Sequence, residues 1–111
     1  MPRYVTIGYG DRDGYDRTAP ILRDAAHAHD RELLASGAII GTAGKPVQVR
    51  NHDGTGAETT AGAYLRSDLP VAGFGLIDAA TLAEAVELAA QSPCAIAHGV
   101  IEVWPLEEQG S

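Results

Sequence analysis

Apolar side chains recur at helical spacing in residues 20–37, and this pattern predicts one long amphipathic helix. At about 100° per residue, one set of side chains falls on a single inner face. Its members are Leu22, Ala25, Ala26, His29 and Leu33. Pro20 suits a first helical turn, Thr18 is the predicted N-cap, and Gly37 is a typical residue for a helix end. We expect the inner face to lie on a β-sheet.

Short apolar or alternating segments on either side of this helix predict β-strands. They are Arg3–Tyr9 and residues 38–42, 46–50, 71–77 and 100–104. Residues 38–42 are mostly apolar, which predicts a buried strand. The charged, glycine-containing residues 11–18 predict a connection, and residues 51–62 predict a hairpin or a mobile loop. A second helix should open with a capping box at residues 81–84 and stop at Pro93.

The order of these elements predicts an α+β fold in a single domain, residues 1–111. One helix follows the first strand and one precedes the last strand, which is the ferredoxin-like split βαβ arrangement. Both helices would cover one face of an antiparallel sheet. The other face would expose apolar side chains, so we expect two chains to pack their sheets together as a homodimer, in the manner of a dimeric α/β barrel.

Composition and charge exclude several classes of function. The net charge is −7 and the eight basic residues are scattered, which argues against nucleic acid as a partner. No apolar run reaches the ~18 residues of a membrane span, and no signal peptide is visible, so a cytoplasmic location is expected. A single cysteine, Cys94, excludes an internal disulfide and a cysteine zinc cage. We predict no metal, no cofactor and a small-molecule ligand.

The long helix carries the strongest candidates for chemistry. His29 lies on the predicted inner face, where an imidazole can act as a general acid or base, or can simply pack against a backbone carbonyl. His27 is predicted on the flank, with Arg23 and Asp30 as helical neighbours. That trio is either a catalytic arrangement with ligand-binding Arg23 and Asp30, or an ordinary solvated helix face. Residues two apart point about 200° apart, so the two histidines cannot share a metal ion.

Aromatic residues supply the remaining candidates. Tyr9 ends the first strand, and Tyr64 follows the glycine-rich segment. Either phenol can donate a hydrogen bond to a ligand carbonyl or stack on an aromatic ligand, and either can instead pack in the core or a dimer contact. Phe74, in the strand at residues 71–77, is a further candidate for substrate binding.

Four segments occur in an order and at a spacing that are typical of a known family. They are residues 3–11 (RYVTIGYGD), 32–41 (ELLASGAIIG), 73–93 (GFGLIDAATLAEAVELAAQSP) and 97–106 (AHGVIEVWPL). Together they resemble the YCII-related family, especially its branch named for a DGPF motif. The match covers most of the chain. It implies a ferredoxin-like dimer related to the dimeric α/β-barrel proteins, and cofactor-independent enzymes that act on small organic molecules through a histidine and an aspartate.

The chain departs from that family at both catalytic positions. The DGPF tetrad falls on residues 61–64, with Ala61 in place of the aspartate and Tyr64 at the aromatic position. The helix histidine of the family falls on Ala26, one residue before His27. We predict a small cofactor-free enzyme of the isomerase, cyclase or lyase type that acts by acid–base chemistry on a small organic molecule of an aromatic or polyketide-like kind. The alternative is a non-catalytic ligand-binding or regulatory dimer that has lost the His–Asp dyad.

Overall fold

The computed structural model describes residues 1–108 of the chain. These residues contain six strands and four helices. The strands are β1 (Arg3–Tyr9), β2 (Ile39–Thr42), β3 (Val47–Arg50), β4 (Glu58–Ala61), β5 (Val71–Asp78) and β6 (Val100–Leu106). The helices are α1 (Arg12–Arg17), α2 (Pro20–Ala35), α3 (Leu82–Ala90) and α4 (Pro93–Ile96). The fold is therefore mixed α+β, as the sequence pattern predicts.

Four strands form one antiparallel sheet in the order β2-β5-β1-β6. The register puts Tyr4 opposite Ile77 and Gly8 opposite Gly73, so these residues share one face. Tyr4 and Ile77 pack with Ala85 of α3 in the buried core, which shows that the helices cover this face. We call the other face, which the helices leave uncovered, the open face.

The segment before α2 is a helix and not the predicted connection. Asp11 is its N-cap, because its carboxylate accepts a hydrogen bond from the backbone N–H of Gly14 at 2.9 Å. Arg17 and Asp13, one turn apart, form an ion pair at 3.0 Å. Thr18 does not cap α2: its hydroxyl donates to the Gly14 carbonyl at 2.8 Å and so stabilises the end of α1.

Strand β2 is an edge strand, so the prediction of a buried strand is wrong. Ile39 is 67% exposed on the open face, and Ile40 is the only residue of β2 that is partly buried. The physical reason is position, because β2 pairs with β5 alone and has no neighbour on its other side. Residues 51–62 contain β4, which pairs with β3 in a separate hairpin.

The ends of helices α3 and α4 are set by nearby capping and proline residues. The Thr81 side chain accepts a hydrogen bond from the Glu84 N–H at 3.1 Å, as the capping box predicts. Glu84 reaches back to the N–H of Ala80 at 3.0 Å. Pro93 does stop α3, but it also occupies the first turn of the short helix α4. In residues 1–108, no helix is both long enough and apolar enough to cross a membrane.

Candidate functional site

A cleft of about 580 Å³ lies between helices α2 and α3 and the helix-covered face of the sheet. Its lining is mainly aliphatic. The aliphatic side chains include Leu33, Leu34, Ile40, Ile77, Leu88 and Ile101. Nine lining residues carry polar side chains, namely Thr6, Asp11, Arg12, Tyr15, His27, Asp30, Thr42, Ser92 and Cys94. An apolar cleft with a few convergent polar groups is the usual form of a small-molecule site.

Two glycines form part of the floor of the cleft and allow neighbouring groups to approach the sheet closely. Gly8 of β1 and Gly73 of β5 face each other in the sheet, and both line the cleft. A Cβ atom on Gly8 would lie only 2.6 Å from Cys94 Sγ. The thiol of Cys94 therefore takes the space that a side chain at position 8 would need.

His27 and Asp30 both line the cleft from helix α2. They are three residues apart and so lie on the same side of the helix. Both side chains are partly buried. Burial raises the pKa of the Asp30 carboxyl, and the neighbouring imidazoles of His29 and His27 oppose that rise. The site thus holds an imidazole beside a carboxyl group for which burial favours the neutral form.

His29 is partly buried on the same side of helix α2 as Ala26, as predicted, but it does not line the cleft. Its Nε2 atom lies 2.8 Å from the carbonyl oxygen of Leu88 in α3, which is the packing role left open by the sequence. His27, which was predicted on the flank of the helix, is the histidine that lines the cleft. Helix α2 is rotated so that the side with Ala26 and His29 faces the neighbouring helices, while the side with His27 and Asp30 faces the cleft.

Tyr15 of helix α1 is a cleft residue that sequence reasoning missed. Its Oη atom lies 3.1 Å from His27 Nε2. The guanidinium carbon of Arg23 lies 4.8 Å from the centre of the Tyr15 ring, in a cation–π contact. Arg23 therefore contacts Tyr15 and is not among the residues that line the cleft. The sequence does contain a signal for helix α1. Asp11 is a typical N-cap residue, and the oppositely charged pairs that follow it are spaced four residues apart, which indicates a short helix.

Of the three aromatic residues that the sequence proposed for the site, Phe74 lines the cleft, whereas Tyr9 and Tyr64 do not. Tyr9 is buried, and its phenol donates to Glu102 Oε1 at 2.6 Å, which raises the pKa of Tyr9. Tyr64 is 81% exposed beside the β3–β4 hairpin, with Arg50 at 5.8 Å from its ring centre. Phe74 lines the cleft and also a wider groove of about 1030 Å³ between the hairpin and the open face. Phe74 therefore lines the same cleft as His27, and Tyr9 and Tyr64 do not.

The thiol of Cys94 is partly buried on the cleft wall. Burial raises its pKa, and the negative charge of Asp30 raises it further. The neutral thiol is therefore the favoured form. In the part of the chain that the structure describes, no three His, Cys, Asp or Glu side chains lie close enough together to hold a metal ion.

Comparison with models of known protein families found no match to this chain, and comparison with curated proteins found none either. The resemblance to the YCII-related family therefore stays a prediction from the residues quoted above.

Proposed function

We propose that this protein is a cofactor-independent acid–base enzyme of the lyase or isomerase type, acting on a small organic molecule. The observation that carries the proposal is the placement of His27 and Asp30 together on the wall of the aliphatic cleft. The pair uses the chemistry of the His–Asp dyad that the family resemblance implies, built from residues three apart on one helix.

The two side chains suit different halves of a proton transfer. A carboxyl with a raised pKa is a better general base near neutral pH than an ordinary aspartate, because a base is most effective when its pKa lies near the working pH. An imidazole beside it supplies an N–H donor to a substrate oxygen. Asp30 is thus assigned the role of base, and His27 that of hydrogen-bond donor or acid.

The substrate class follows from the lining of the cleft. Aliphatic walls and about 580 Å³ of space suit a compact ring system that carries a carbonyl group. Asp30 would take a proton from the carbon next to that carbonyl, while His27 stabilises the developing enolate oxygen. Return of the proton to another carbon gives isomerisation, and loss of a leaving group from the next carbon gives elimination.

A solvent-exchange experiment tests this assignment. The chain is incubated in D₂O with cyclic and aromatic ketones such as 2-tetralone, and exchange of the C–H next to the carbonyl is followed by NMR. The wild-type chain is expected to accelerate exchange, Asp30→Asn and His27→Ala to lose the acceleration, and His29→Ala to retain it if it stays folded. Retention of full activity by both Asp30→Asn and His27→Ala would falsify the proposal.

The alternative is a ligand-binding dimer without catalysis. His29 favours it, because one of the two predicted catalytic imidazoles is used for helix packing. The same NMR samples separate the two functions. Ketone-induced shifts at cleft residues without any gain in exchange support binding alone.

The proposal includes a ferredoxin-like homodimer in the cytoplasm. The strand order β6-β1-β5-β2, with helices α1 and α2 between β1 and β2 and helices α3 and α4 between β5 and β6, supports this fold. Large apolar side chains on the open face support pairing of two chains through it, because contiguous exposed apolar surface marks interaction sites. Those more than half exposed are Ile39, Phe74, Val100 and Trp104.

A further inference from the structure

One side of the His27 ring is occupied by Tyr15, a residue that has no role in the function proposed above. Tyr15 Oη lies 3.1 Å from His27 Nε2, and the two rings are tilted by 56° with their centres 5.9 Å apart. The other ring nitrogen, Nδ1, makes no hydrogen bond to any side chain or backbone group in residues 1–108. The contact therefore distinguishes the two nitrogens of His27.

The chemistry of the two groups sets the direction of this hydrogen bond. A phenol is a good donor, and the unprotonated nitrogen of a neutral imidazole is a stronger acceptor than a phenol oxygen. Tyr15 Oη has no other hydrogen-bond partner within the described residues. If Tyr15 donates to Nε2, its phenol proton has an acceptor. If His27 donates to the phenol oxygen, the phenol proton has no acceptor within the described residues.

The position of Tyr15 is fixed by the backbone of helix α1. Gly14 packs so closely that a Cβ atom there would collide with the carbonyl oxygen of Ala97. Asp11 caps the helix at its start, and the Thr18 hydroxyl holds its end. Arg23 covers the face of the Tyr15 ring from helix α2. A phenol held at several points can orient an imidazole, as partners of catalytic and metal-binding histidines commonly do.

We propose that Tyr15 is a positioning residue, which donates to Nε2 of neutral His27 and so holds its proton on Nδ1. The Nδ1–H group is then the donor that His27 presents to a ligand oxygen. The tautomer of His27 follows from its contact with Tyr15 alone, and only the use of the Nδ1–H group in catalysis rests on the proposed function.

His29 is an internal reference for the test. Its Nε2 lies 2.8 Å from the Leu88 carbonyl, which can only accept, so neutral His29 must carry its proton on Nε2. Two histidines that lie two residues apart on one helix are therefore expected to hold opposite tautomers. Exposed histidines generally favour the Nε2–H form, so the Nδ1–H form of His27 requires a specific cause.

The experiment is a long-range ¹H–¹⁵N correlation spectrum of the ¹⁵N-labelled chain at about pH 8, where neutral imidazoles predominate. His27 is expected mainly as Nδ1–H and His29 as Nε2–H. In Tyr15→Phe, which keeps the ring under Arg23, the tautomer ratio of His27 should reverse in favour of Nε2–H. Tyr64→Phe, at an exposed tyrosine outside the cleft, is the matched control and should leave His27 unchanged.

Two results overturn the inference: a mainly Nε2–H His27 in the wild-type chain, or an unchanged His27 tautomer in folded Tyr15→Phe. The wild-type spectrum decides the question even if the variant does not fold. The tautomer is read without any ligand, so its outcome is independent of the ketone exchange experiment. Opposite tautomers without ketone exchange would refute the proposed enzyme and leave the positioning role of Tyr15 intact.

Discussion

His29 Nε2 lies 2.8 Å from the carbonyl oxygen of Leu88, and this hydrogen bond joins helix α2 to helix α3. Two residues earlier, His27 faces the cleft and contacts Tyr15. Residues two apart on a helix point in widely different directions, so neighbouring histidines serve different purposes. His29 supports the packing of the helices, and His27 belongs to the candidate site.

Replacing His29 should affect stability more than function. His29→Ala removes the side-chain partner of the Leu88 carbonyl, which keeps only a backbone hydrogen bond from Gln91 at 3.4 Å, and is expected to lower the free energy of unfolding by about 1 kcal/mol. Urea unfolding measures this loss. His52→Ala, at an exposed histidine in the hairpin turn, should change stability by no more than about 0.5 kcal/mol. Equal effects of the two substitutions would contradict the packing role.

Asp30 should make the stability of the chain depend on pH. Burial raises the pKa of the Asp30 carboxyl above its ordinary value of 3.8, so the folded chain favours the protonated form. The stability that comes from this preference is fully present below pH 3.8, and it is lost as the pH rises through the raised pKa of the folded chain. Asp30→Asn cannot ionise, so its advantage over wild type should grow as the pH rises from 3.8 through the raised pKa of Asp30 and then level off.

Urea unfolding across that range provides the measurement, with Asp24→Asn as the control for loss of one exposed carboxylate from the same helix. A constant difference between Asp30→Asn and wild type at every pH would show that burial of Asp30 has no energetic consequence.

Cys94 should react slowly with thiol reagents. Burial raises its pKa, and the carboxylate of Asp30 raises it further, so little thiolate is present near neutral pH. Removal of that charge in Asp30→Asn should lower the pKa of Cys94 and speed its alkylation. The measurement is the rate of iodoacetamide labelling as a function of pH. A slower rate in Asp30→Asn would reverse the predicted sign.

Gly8 should tolerate no side chain while Cys94 is present. The Cβ atom of Gly8→Ala would lie 2.6 Å from Cys94 Sγ, and such overpacking costs about 1–3 kcal/mol of stability. Cys94→Ala should offset much of this loss in the double variant. Gly41→Ala is the matched control, because a Cβ atom there meets nothing within 4 Å. Additive effects at positions 8 and 94 would refute the contact.

The homodimer should depend on the open face. Ile39→Glu places a charge where the second chain is proposed to pack, and we expect the dimer dissociation constant to rise about tenfold or more. Sedimentation velocity over a range of concentrations measures it. Ile21→Glu changes an equally exposed isoleucine on helix α2 and should leave association unchanged. A monomeric wild-type chain would remove the dimer from the proposal.

Local patterns determined most of the elements. The alternation in Arg3–Tyr9 and the helical period from Pro20 predict β1 and α2 from neighbouring residues alone. The Thr81 and Glu84 pair likewise marks the start of α3. Helix α1 was missed because its charged sequence with a glycine is also typical of a loop, and because the close packing of Gly14 against the Ala97 carbonyl is a long-range feature that the local sequence does not show.

The chemistry of the site was decided by tertiary structure. Helical periodicity shows which residues share a side of α2, but it does not fix the rotation of the helix about its own axis. That rotation follows from packing against α3, α4 and the sheet together, and it turns His27 to the cleft and His29 to Leu88. The sequence by itself thus determined that a histidine and an aspartate share this helix, and long-range packing selected which histidine meets Tyr15 and the cleft.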